Sequence, residues 1–214
     1  MPRLARACLA VACAAAASLP LDALAQETSG FGTERPLVVS LEHLGGAVAT
    51  RFEADGADES TTAVHVGTFL GPFFGQTPTS RIGVHYFLAP PISVGGLFTY
   101  SDNDSFGETL LLGARVGAAL PLGSSLDLWL RGGIHYFRSE LSAGSTTTFT
   151  DVRPGGEVLL ALTPLEHFGF LLGGMFEVGI AGKTKSESRI SNQTLENDFN
   201  YAEYGLTFGV FANF

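Results

Sequence analysis

The stretch Leu110–Leu120 reads LLLGARVGAAL, with apolar residues at 110, 112, 114, 116, 118 and 120. The other parity holds Leu111, Gly113, Arg115, Gly117 and Ala119. A helix repeats its apolar positions every three to four residues, whereas this stretch repeats every two, so it reads as a strand. One face is unbroken and greasy. The other sets one arginine among small residues.

The same split recurs along the chain. Ile92, Val94, Phe98 and Tyr100 oppose Ser93, Gly95, Leu97 and Thr99. Phe168, Phe170, Leu172, Phe176, Val178 and Ile180 oppose Gly169, Leu171, Gly173, Met175 and Glu177. In the last strand Ala202, Tyr204, Leu206, Phe208, Val210, Ala212 and Phe214 oppose Glu203, Gly205, Thr207, Gly209 and Phe211. A soluble barrel would carry dense charge on its polar face. Here that face has about one charge per strand between glycines, which suits a crowded interior and a lipid-facing exterior.

Strands are expected near 37–50, 80–88, 91–101, 108–120, 126–138, 152–162, 168–181 and 200–214. Short links at 89–91, 121–125 and 163–167 alternate with looser polar stretches at 102–107, 139–151 and 182–199. Short turns on one side and longer loops on the other describe an all-β, eight-stranded, antiparallel up-and-down transmembrane β-barrel. An even count puts both termini on the short-turn, periplasmic side. The stretch Val64–Phe74 either extends the second strand above the membrane or folds into the barrel mouth.

Met1–Ala25 has two early cations, a short apolar core and Ala23-Leu24-Ala25 at its end. That pattern is a cleaved secretory signal peptide. Residues 26–36 then form a periplasmic segment and 37–214 the barrel. Both cysteines, Cys8 and Cys13, fall in the leader, so disulfides and cysteine metal sites are not expected in the mature chain. The chain has 21 Asp and Glu against 12 Lys and Arg, and its lysines are Lys183 and Lys185 alone. So acidic a balance argues against nucleic acid as a partner. No cofactor or metal is implied.

The carboxy-terminal alternation through Phe208 and Val210 to Phe214 resembles the signal read by the outer-membrane insertion machinery of Gram-negative bacteria. With the leader and strand count, the chain resembles the small OmpA-like and OmpW-like outer-membrane barrels. The resemblance implies residence in the outer-membrane bilayer and a porin-like fold. It implies no substrate.

Parity sends Glu42, Arg81, His85, Arg115, Asp127, Arg131, His135, Glu157, Glu177 and Glu203 inward. Counting from the short turns puts Glu42, Arg115, Arg131 and Glu157 at mid-barrel, with Arg81, Glu177 and Glu203 higher. Eight strands leave room only for side chains. The expected feature is an Arg/Glu network that plugs the lumen, against the alternative of charges hydrating a narrow pore. Leu97, Trp129, Phe87, Phe137, Leu159, Leu171, Met175 and Phe211 are also inward. A continuous apolar lining of that kind would suit a small-solute or apolar-ligand channel of the OmpW kind. An outer-membrane lipid-modifying enzyme would need a nucleophile beside a rim histidine. Only His135 with Ser139 comes near that, so an enzyme is not expected. Surface ligands would meet the stretches 139–151 and 182–199.

Two heptapeptides share one grammar: RIGVHYF at 81–87 and RGGIHYF at 131–137. They run in opposite directions, which puts Tyr86 and Tyr136 at opposite membrane interfaces; Tyr100, Phe168 and Tyr204 are further interface aromatics. His85 and His135 are then separated by roughly 18 Å along the axis, too far to share a metal.

Overall fold

The computed structural model describes residues 31–32, 35–54, 57–66, 80–103, 107–143, 145–188 and 194–214. The leader reading falls outside them, as does the part of Val64–Phe74 beyond Val66. The described chain forms ten strands: β1 Leu37–Ala54, β2 Ala57–Val66, β3 Arg81–Ala89, β4 Ile92–Asn103, β5 Gly107–Gly123, β6 Leu126–Ala143, β7 Ser145–Leu165, β8 Phe168–Val178, β9 Gly182–Ser188 and β10 Thr194–Asn213. All pairings are antiparallel, and β1 pairs with β10 from Val38↔Asn213 to Ala54↔Phe199. That closes β1, β3, β4, β5, β6, β7, β8 and β10 into a ring of eight.

Two of the eight wall positions are each built from two strands. Along β1, β3 pairs with Leu37–Glu42 and β2 with Gly45–Ala54. Val64–Val66 therefore belong to a strand that extends the second wall position, one of the two placements open to that stretch. Along β7, β8 pairs with Gly155–Leu165 and β9 with Ser145–Thr150. The break between β8 and β9 is held by Asp151, which accepts hydrogen bonds from the backbone of Ala181 and Val152.

The stretches 139–151 and 182–199 differ from the sequence expectation of loose loops. Ser139–Ala143 pairs with Ser145–Phe149, and Gly182–Glu187 pairs with Thr194–Phe199. Threonine is a good strand former where side chains stand on a pleated surface. The Thr146–Thr150 run therefore extends β7 beyond the greasy belt, where both faces can be polar.

The outward parity carries the belt. Ile82, Val84, Val94, Phe98, Leu112, Val116, Ile134, Val158, Leu160, Leu172 and Leu206 are all exposed large hydrophobics. Their inward neighbours are buried, as in β3, where Arg81, Gly83, His85 and Phe87 alternate with exposed Ile82, Val84, Tyr86 and Leu88. An apolar exterior over a charged interior is the inverse of a soluble protein and the pattern of a membrane-spanning barrel.

Large side chains crowd the lumen. Near the short turns, Val38, Phe87, Trp129, Leu159, Leu171 and Phe211 form one apolar cluster. Towards the long hairpins, Leu97, Leu111, Phe137, Phe149, Phe199 and Tyr201 form a second. Glycine makes this possible by standing across the ladder from large side chains. A Cβ at Gly95, Gly113, Gly133 or Gly169 would lie 2.4–2.9 Å from His85, His135, Arg115 or Phe211, respectively. The glycines are the space into which the charged and aromatic side chains lean.

Candidate functional site in the lumen

Between the two apolar clusters lies a layer of charge. A bulge in β1 adds to it a residue that alternation alone would turn outward. The β1–β10 register shifts between Leu41 and Gly45, and His43 adopts a φ of 56°. An extra residue in one strand breaks the in–out alternation there. Glu42 keeps the inward parity of Val38 and Ser40, and the bulge turns His43 inward beside it, so both are buried.

Glu42 accepts hydrogen bonds from Arg115 Nη1 at 2.6 Å and from Arg131 Nη1 at 2.6 Å. The Ser40 hydroxyl donates to the same carboxylate at 2.6 Å. Arg131 and Glu157 face each other directly in the β6–β7 ladder, and Arg131 Nη2 lies 2.6 Å from Glu157 Oε2. Arg115 Nη2 stands 3.6 Å from Glu157 Oε1, and His43 Nε2 lies 3.2 Å from that oxygen. Two acids and two guanidiniums thus alternate in a closed quartet drawn from β1, β5, β6 and β7. The planar fork of arginine suits it to bridging two carboxylates at once.

A second group stands beside the quartet. Arg81 pairs with Glu177, and His135 Nδ1 lies 3.1 Å from Glu177 Oε1. Glu203 accepts the Tyr201 hydroxyl proton in a hydrogen bond and lies in the field of Arg81. The cavity among Arg115, Arg131, His135, Glu157 and Glu177 has a volume of about 10 Å³. That is close to what a single water needs.

Glu42, His43 and Glu157 bring three potential metal-ligand atoms within 4.8 Å of one another. Both carboxylates are already engaged by Arg115 and Arg131, so a dication there would meet two guanidiniums at close range. The chemistry favours the ion pairs over a metal.

Other inward residues have separate surroundings. His85 lies below the quartet, with Ser93 Oγ 3.4 Å from its Nδ1 and the Trp129 ring against its edge at 4.8 Å. Ser139 Oγ is 3.0 Å from Thr109 Oγ1, and four extended residues put it about 13 Å along the strand from His135. Asp127 stands apart from the charge layer and accepts the backbone N–H of Phe31.

Several participants escaped the sequence reading. Arg153 pairs with Asp151 at 2.9 Å and lies between the rings of Phe137 and Tyr201, 4.0 and 3.8 Å from their centroids. Both charges share the inward parity of Glu157, and that parity was the available signal. His43 gave none, because a bulge cannot be read from alternation that it interrupts. Phe31 precedes the first strand altogether.

The outward residues singled out from the sequence are placed simply. Tyr86 and Phe168 are exposed near the short turns, and Tyr100, Tyr136 and Tyr204 are exposed towards the hairpins. Phe208 faces outward on the last strand and Phe214, directly after it, is exposed, with Val210 half-buried between them.

No protein-family model matches the chain, and no curated protein matches it in sequence. Among solved structures it is similar to Neisserial surface protein A, at 14% identity and a TM-score of 0.47 over 83% of this chain and 97% of that one. It is similar to the N-terminal β-barrel domain of OprF from Pseudomonas aeruginosa, at 15% identity and a TM-score of 0.41 over 83% and 97%. It is also similar to the outer membrane protease OmpT from Escherichia coli, at 9% identity and a TM-score of 0.42 over 88% and 99%.

Proposed function

We propose that this chain is an integral outer-membrane barrel with a structural or anchoring role, its lumen closed by the Glu42–Arg115–Glu157–Arg131 quartet. The observation that carries the reading is the set of direct ion pairs at mid-lumen, with Arg81, Glu177 and Glu203 beside them and apolar side chains above and below. The start of β1 and the end of β10 lie with the short turns, which this reading turns towards the periplasm. The β6–β7 and β9–β10 hairpins then face outward, where any surface ligand would be met. Tyr86, Phe168, Tyr100, Tyr136 and Tyr204 serve as the two aromatic girdles. Phe208, Val210 and Phe214 serve as the carboxy-terminal insertion signal.

A non-enzymatic role accords with the histidines. His135 faces Glu177 and Arg81 inside the lumen, and the Ser93–His85 contact is buried under the quartet. Neither stands at an open rim where a lipid could reach it.

The reading is tested by reconstituting the protein into liposomes and following swelling in isosmotic solutions of small sugars and amino acids. Swelling no faster than that of protein-free liposomes is expected. Rapid swelling that falls with solute size would favour a small-solute channel instead.

A further inference from the structure

Trp129, Phe87 and Phe211 come from β6, β3 and β10 and converge at the short-turn end of the lumen. They do not complete a packed core by themselves. The missing ring is supplied by Phe31, which lies outside every strand and is still buried. Its ring meets all three edge-on, at centroid separations of 5.4 Å to Phe87, 4.9 Å to Trp129 and 4.9 Å to Phe211. The interplanar angles are 81°, 70° and 71°, the T-shaped arrangement that aromatic quadrupoles favour.

The backbone is recognised along with the ring. Asp127 is buried at this end, and its carboxylate accepts the Phe31 N–H. The next residue, Gly32, has a φ of +79°, and a Cβ there would lie 2.5 Å from the Phe87 ring. Glycine is required at that position by both backbone and space. Further along, Arg35 pairs with Glu166 at the β7–β8 turn, and the Phe87 N–H donates to the Pro36 carbonyl at 2.8 Å. Arg131 lies over the Trp129 ring at 4.5 Å, so the charged quartet forms the floor of the box.

We propose that the short-turn end of the lumen is a receptor site for an aromatic ring presented beside a peptide N–H, and that the chain fills it in cis with Phe31. The walls are part of the barrel and the occupant is not, so the occupant can be exchanged without unmaking a strand pairing. The ligand class is an aromatic amino-acid residue in peptide linkage. This goes beyond the closed lumen of the proposed function, because a conducting barrel could still hold Phe31 in this box.

Trp129 is the sole tryptophan of the chain and reports on the site directly. The test follows acrylamide quenching of its fluorescence in the full chain folded into vesicles, with folding checked by heat-dependent gel migration. Phe31→Ala should raise quenching several-fold. N-acetyl-phenylalaninamide should restore protection to that variant, and N-acetyl-alaninamide should not. Arg35→Ala, which keeps the ring and removes its outer tether, should raise quenching by a smaller factor. The proposal is overturned if wild-type Trp129 is quenched as freely as in Phe31→Ala, or if the two amides protect equally. Should Phe31→Ala fail to fold, Arg35→Ala decides: raised quenching supports the site and unchanged quenching overturns it.

Discussion

Glu42→Ala should destabilise the barrel by about 3–5 kcal/mol, the cost of removing one partner from a buried ion pair. Glu42 bonds two guanidiniums, and its loss leaves Arg115 and Arg131 converging on Glu157 alone. Neither arginine can discard its charge, and neither can reach water from a packed lumen. Glu42→Gln should fall between wild type and alanine, since it keeps the volume and one acceptor but loses the charge. The measurement is reversible urea unfolding in lipid vesicles, followed by Trp129 fluorescence. Replacing all four members together with leucine and methionine should cost much less than Glu42→Ala, because no charge is then stranded. A Glu42→Ala variant within about 0.5 kcal/mol of wild type, the range of ordinary surface substitutions, would mean the carboxylate is not held by these arginines.

Val116→Arg should cost about 2–4 kcal/mol, as expected for a cation placed on the lipid face near the bilayer midplane. Val116 is 62% exposed, while its neighbour Arg115 is 3% exposed. One step along β5 separates a site that takes an arginine from one that cannot. The same unfolding assay reads the effect, and it should shrink in short-chain detergent, where water approaches the belt. Val116→Leu serves as the control and should be near neutral. An arginine tolerated at 116 in bilayers would show that this face does not meet lipid.

Much of the architecture was legible because a bilayer imposes a one-dimensional rule. Within the belt, every second residue meets either hydrocarbon or a narrow lumen, so Leu110–Leu120 alone identifies the strand and its inward arginine. Beyond the belt that rule lapses. The Thr146–Thr150 run faces water on one side and the barrel mouth on the other, and its strand character rests on β-propensity and pairing with β6 and β9.

The lumen was legible in its membership more than in its contacts. Parity identified Glu42, Arg115, Arg131 and Glu157 as inward. Counting from the short turns put the four at one height, while the pairing of each guanidinium with a particular carboxylate oxygen depends on register and side-chain reach. His43 joins them only through a bulge, which turns it in beside Glu42. Asp151 and Arg153 obey parity, but Asp151 closes a stretch that reads as a loop and Arg153 opens the strand after it. Phe31 could be found only by seeing that three lumen rings lacked a fourth.

Side chains that meet at mid-height should leave the barrel closed to ions. Planar-bilayer recording of the purified, folded protein tests it most directly. Membranes containing the protein should hold the baseline current of bare lipid across the accessible voltage range, even in concentrated salt. A large, permanently open conductance, stepping upward with each inserted molecule, would contradict the closed quartet.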